Sequence, residues 1–139
     1  DKMISASLQK AVYAKLSGIL TEPVYSAGAI PDNTKGPYVI IGEDTITAHD
    51  SDREVGYDAS VTIHCWQKVN ARGLIPVKEL SDKVSAIMNR ANLVIEGFTV
   101  LDCIEEFRQN RIDTDGLSAQ VIMRYRVLIT KESSTQIIA

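Results

Sequence analysis

The chain has 139 residues, of which 45% are apolar and 24% charged, and its formal net charge is −3. A domain of this length buries roughly two-thirds of its unfolded surface, so it folds without help from a metal or a disulfide. The acidic balance argues against a nucleic-acid binder, which needs a basic face, and no apolar run approaches the ~20 residues of a membrane span.

The elements follow in chain order. Ile4, Leu8, Ala11, Val12, Leu16, Ile19 and Leu20 recur at helical spacing and predict a helix over 4–20, weakened at its end by Gly18 and stopped by Pro23. Val24-Tyr25-Ser26 is a short extended piece, and AGAIPDNTKGP is a loop by its glycines and prolines. The apolar run at Tyr38 begins a strand predicted over 38–47. AHDSDREVG reads as a polar connection, and strict alternation then predicts a strand over 55–67. There Val55, Tyr57, Ala59, Val61, Ile63 and Cys65 share one face, with His64 and Trp66 on the other.

A second helix is predicted over 75–92, with Pro76 in its first turn and an apolar stripe of Val77, Leu80, Val84, Ile87, Met88 and Ala91. A strand over 98–109 leads to the Asp-Gly type turn DTDG. Leu117, Ala119, Val121, Met123, Tyr125, Val127 and Ile129 alternate along the last strand. The order is helix, strand, strand, helix, strand, strand. Short or polar connections make each strand pair an antiparallel hairpin. The predicted fold is α+β: an antiparallel sheet of about four main strands with two helices on one face, in a single domain over 1–139. No internal repeat or signal peptide is visible.

Little in the chain has the spacing of a catalytic or metal site. His49 and His64 are the only histidines, and HDSD at 49–52 has no second ligand cluster to complete a zinc site. DTDG lacks the downstream bidentate Glu of a calcium loop. Cys65 and Cys103 lie in apolar strand runs and read as buried free thiols. Neither a nucleophile elbow nor a Gly-rich phosphate loop is present. The carboxylates Glu43–Asp44 and Glu105–Glu106 are adjacent on strands, so each pair points to opposite faces and cannot flank one substrate atom. A meeting of Glu43 with Glu105 across the sheet stays open. Arg108, Arg111, Arg124 and Arg126 gather in the last two strands. Arg124 and Arg126 share a face, and Arg108 is expected to approach them. They answer Glu105, Glu106 or Asp102 within the sheet, or they meet a partner. A binding or structural module is the reading the residues support; a small-molecule hydrolase has no constellation behind it.

The order of motifs carries a resemblance. YAKLSG closes the first helix, GPYVIIGEDT follows the loop, VTIHCWQK supplies a His-x-Trp element, and VKELSDKVSAIM and DTDGLSAQVIMRYRVL complete the series. Over about residues 6–130 this resembles the phage tail-completion and tail terminator proteins, with 131–139 outside the pattern. The resemblance implies a non-enzymatic virion protein without cofactor. It implies a homo-oligomeric, hexameric ring at the head-proximal end of the tail tube, which stops tube polymerisation and joins the tail to the head connector. The partners implied are further copies of itself, the tube protein and a connector or neck protein. No membrane or sequence-specific nucleic acid is implied, though genome DNA passes through such a ring. A neck or head-completion adaptor on the portal side is the alternative. The interaction candidates are Glu43, Asp44, Asp50, Asp52, Arg53, Arg108, Arg124 and Arg126. The charged stretch 45–56, poor in apolar anchors, is expected to be mobile in a free monomer and to order on assembly.

Overall fold

A computed structural model describes residues 4–31, 34–50, 55–69, 73–114 and 116–131. Helix α1 spans Ile4–Ser17 and helix α2 Ile75–Met88. The strands are β1 (Val24–Ser26), β2 (Tyr38–Asp50), β3 (Val55–Lys68), β4 (Phe98–Ile112) and β5 (Ser118–Lys131). They form one five-stranded sheet in the order β1-β2-β3-β5-β4. The architecture is α+β as expected, with one strand more. The extended piece Val24–Ser26 pairs parallel to β2, Val24 beside Val39 and Ser26 beside Ile41. All other pairings are antiparallel.

The alternation of β3 and β5 divides the sheet into two faces. Ala59, Val61, Ile63 and Cys65 join Val121, Met123, Tyr125, Val127 and Ile129 in one core cluster. The same cluster takes Ile4, Leu8, Val12 and Leu16 of α1 and Val77, Leu80, Val84 and Met88 of α2, each one helical turn apart. The residues between them, such as Asp58, His64, Arg124 and Arg126, lie on the opposite face, called here the open face. Among the described residues no helix is long and apolar enough to cross a membrane.

Three expectations need correction. The stretch 48–56 is largely ladder rather than connection: β2 runs to Asp50 and pairs with β3 from Val55, so Thr45–Asp50 and Val55–Ser60 form one hairpin arm. Residues 45–50 and 55–56 of the stretch expected to be mobile are thus paired strand, and the rest of it, Asp52 and Arg53 included, lies outside the described residues. Helix α2 ends at Met88, not near 92. Asn89 turns extended at φ −69° and ψ 122°, and Arg90 takes a left-handed φ of 63°. The chain then re-enters the core through Leu93 and Ile95, which are 4% and 3% exposed. Helical periodicity cannot see this, because buried positions after the turn keep a similar spacing.

The third correction concerns parity. Ladder registers slip between Ile41 and Asp44, between Val100 and Asp102, and between Glu105 and Phe107. Each slip is a β-bulge, and a bulge reverses which residues face the core beyond it. Arg108 pairs with Met123 and so stands on the helix side. It does not approach Arg124 and Arg126. Nor does Glu43 meet Glu105: β3 and β5 separate their strands.

Candidate interaction surface

The bulge at Gly42–Glu43 sets the first part of the open face. A Cβ on Gly42 would stand 3.0 Å from the His64 ring, so glycine lets the imidazole lie against the strand. Glu43 turns onto that ring, with His64 Nε2 at 3.1 Å from its Oε1. Its own backbone N–H, and then His64, hold the Glu43 carboxyl below the usual carboxylate range. The other ring nitrogen, Nδ1, is 2.9 Å from Gln120 Oε1. Gln120 Nε2 donates at 3.5 Å to Asp113, which also accepts from the Ser118 hydroxyl. This row of polar groups crosses from β2 to the β4–β5 turn. Asp44 leaves on the other face, where its carboxylate accepts the Ser5 hydroxyl of α1 at 2.6 Å. The two adjacent carboxylates therefore serve different faces.

Arg124 and Arg126 stay on the open face and are both engaged by their own chain. Arg126 donates Nε to Asp58 Oδ1 at 2.9 Å and Nη2 to Oδ2 at 2.6 Å, a bidentate pair. Arg124 donates Nε to Glu106 at 2.8 Å. Glu106 is among the partners the sequence offers; Asp58 is not, because nothing in the sequence places β3 beside β5. Farther along β3, past His64, the rings of Tyr25, Tyr38 and Trp66 form a row, with centroid separations of 5.5 and 5.1 Å.

Arg108 belongs to a different cluster, at the rim between α2 and β4. Its Nη1 donates to Asp82 at 2.8 Å, and its Nε and Nη2 to Glu105 at 3.1 and 3.0 Å. Glu105 also accepts the hydroxyl of the fully buried Tyr125 at 2.8 Å. Burial alone would raise the Glu105 carboxyl. Hydrogen bonds from Ser85, Tyr125 and Arg108 outweigh it and hold the group below the usual range. Tyr125 is pushed the other way by burial and by that carboxylate. Asn89 Oδ1 accepts the Glu105 backbone N–H at 2.9 Å, so the end of α2 also clasps the edge strand.

The pair Asp50 and Val55 closes the described part of the β2–β3 arm, and the side chain of Asp50 lies outside the described residues. Among the described residues no three metal-ligating side chains gather. Cys65 and Cys103 are buried and free. Burial pushes their thiols up to about 12 and about 11, away from nucleophilic use. They flank β5 at Val121 and Val127, about 20 Å apart along the strand, far beyond disulfide reach. The surface thus offers paired charges and strand edges, a set suited to protein contact.

Comparison with known proteins gives the chain's fold relatives and its family. A chain of the virion of a native gene transfer agent particle has the same fold, with a TM-score of 0.82 at 19% identity over 94% of this chain and 99% of that one. The tail completion protein gp17 of Bacillus phage SPP1 is 27% identical over 131 residues, which is 92% of this chain and 96% of that protein. The family model of tail completion protein gp17 matches residues 9–130, from the second turn of α1 to the end of β5, so this chain belongs to the tail completion protein gp17 family.

Proposed function

We propose that the protein is a structural component of a phage-type tail and acts at the tail's head-proximal end. In this reading copies of the chain form a ring, a hexamer, on the last layer of the tail tube. The ring halts tube polymerisation and presents a surface to the head connector. The observation that carries the reading is the family match across 9–130, joined to a relative of nearly equal length that is named for tail completion. The geometry supports it in kind. Cross-strand charge pairs at Asp58–Arg126 and Glu106–Arg124 give the open face both signs, side by side, where partner surfaces of either sign find a counter-charge. Glu43, Asp44, Arg124 and Arg126 are the contact residues in this proposal, with Asp50, Asp52 and Arg53 at the arm's end and Arg108 at the rim.

Deleting the gene from its source particle and measuring tails by negative-stain microscopy tests the proposal. Overlong tails, or tails of normal length that fail to join filled heads, are expected. Missing tails beside heads that leak DNA would instead assign the protein to the portal side, and unchanged particles would refute a tail role.

A further inference from the structure

Among the described residues the sheet carries two uncovered backbone edges, on opposite sides. On one side β1 covers only Val39–Ile41 of β2, which leaves Asp44–Asp50 without a neighbouring strand among the described residues. On the other side the edge strand β4 is protected in its first half only. Two bulges interrupt that half. Arg90 N–H donates to Cys103 O, Asp102 accepts the Cys103 N–H, and Asn89 accepts the Glu105 N–H. Beyond the second bulge none of these devices appears among the described residues. Phe107–Ile112 keeps an unbroken register with β5 and is exposed throughout. A straight, unguarded strand edge is a template for pairing with another chain.

The ladder parity states which groups are offered. Cys103 and Glu105 turn their backbone groups away from β5. Continued past the bulge, the alternation turns Arg108, Asn110 and Ile112 outward on β4, and Asp44, Ile46 and Ala48 outward on β2. Both sets have their side chains on the helix face, so the two edges are compatible in facing as well as length. Their charges are complementary. Phe107–Ile112 holds Arg108 and Arg111 and no acid, whereas Glu43–Asp50 holds Glu43, Asp44 and Asp50 and neither Lys nor Arg. Arg111 makes no ion pair among the described residues.

We propose that the β4 edge of one copy, Phe107–Ile112, pairs antiparallel with the β2 edge, Asp44–Asp50, of the next copy, which makes one sheet continuous around the assembly. This rests on the ring reading and names its contact. The contact is heterologous, as a closed ring requires. With Asn110 opposite Ile46, Arg111 falls opposite Thr45, two residues from Glu43 on the same face. The stagger limits the registers available. On the scale of β5, Asn110 lies level with Val121, and Ile46, through Ala59, with Val127. That is a slip of about 20 Å along the strands for about 19 Å across four strand spacings. Strands then incline by roughly 45° to the ring axis, at the edge of the 35–45° range of closed barrels. Asn110 opposite Ala48 would demand about 55°, outside that range, whereas Asn110 opposite Asp44, level with Tyr125, gives about 35°, at its other edge.

The test is a disulfide between Gln109→Cys and Thr47→Cys in one full-length chain. These positions lie on the open face, about 25 Å apart within a copy, so any bond between them joins two copies. In particles assembled with the double variant and mildly oxidised, a ladder of linked species ending at the ring size is expected, absent from both single variants. Particles that contain the protein but yield only monomer bands, both with this pair and with Gln109→Cys and Thr45→Cys, which stand opposite in the shallower register, would overturn the edge contact and leave the ring reading standing. Particles in which the wild-type chain is not a ring would overturn both. Should the double variant fail to assemble, hydrogen exchange on wild-type chain decides. The amides of Asn110 and Ile46 slow at least tenfold on assembly if the edges pair, and exchange unchanged if they do not.

Discussion

Replacing Tyr125 with Phe isolates the rim cluster that holds β4 to the core. Tyr125 is fully buried, and its hydroxyl donates to the Glu105 carboxylate at 2.8 Å. A hydrogen bond to a charged group contributes about 1.5–3 kcal/mol. Glu105 keeps its bonds from Arg108 in the variant, so it is not orphaned, and the lower half of that range applies. The expected loss at pH 7 is about 1.5–2 kcal/mol, or roughly 5–7 °C in Tm for a chain of this length. The pH dependence supplies a second, sharper readout. The folded-state pKa of Glu105 is depressed below its ordinary 4.5. A depressed carboxylate contributes stability that is complete above the unfolded value and is lost as pH falls through the folded one. Removing the tyrosine hydroxyl moves the folded value back toward 4.5, so the cost of the substitution must shrink in acid. Urea unfolding at pH 7 and near pH 3 measures both, with an unchanged m-value as the control for an intact native state. A loss below about 0.5 kcal/mol at pH 7, or an equal loss at the two pH values, would refute this account of the cluster.

Other outcomes follow from the same geometry. Gly36→Ala is expected to destabilise by about 1–3 kcal/mol in urea unfolding, since φ is +82° and the new Cβ would stand 2.6 Å from the Trp66 carbonyl oxygen. Leu8→Ala, at a fully buried site between α1 and the sheet, should cost about 2–5 kcal/mol by the same assay. Cys65 and Cys103 should resist a thiol reagent at pH 8 in the native chain and react together once urea unfolds it; fast labelling of either in the folded state would contradict their burial. Arg124→Glu with Arg126→Glu sets like charges against Glu106 and Asp58 on the open face. That variant should fold, by circular dichroism, yet fail to join tails to heads, and normal joining would remove the open-face arginines from the proposed contact.

How far the sequence carries the fold is clearest in β3 and β5. Their unbroken period of two identifies the core face from Ala59 to Cys65 and from Ala119 to Ile129, and the structure agrees at every one of those positions. The same rule fails wherever a bulge intervenes. Arg108 is an even-numbered residue that belongs with Arg124 by simple alternation, and the extra residue at Glu106 turns it to the helix side, onto Asp82 and Glu105. Nothing in the letters EEFR announces that bulge, because its cause is tertiary: Asn89, Ser85 and Tyr125 converge on Glu105. Asp58 was equally hidden as the partner of Arg126. Its pairing depends on the strand order β3-β5, which a chain read residue by residue does not contain. The length of β2 was understated for a simpler reason. Polar and charged residues continue a strand when a neighbouring strand supplies the ladder, so composition marked a loop where Thr45–Asp50 is paired.

The most direct test of the central claim is a cryo-electron microscopy map of the intact source particle around the junction of tail and head. The account predicts a closed ring of six copies of this fold between the last tube layer and the connector. Finding the fold on the portal side of the connector, or absent from the particle, would contradict it.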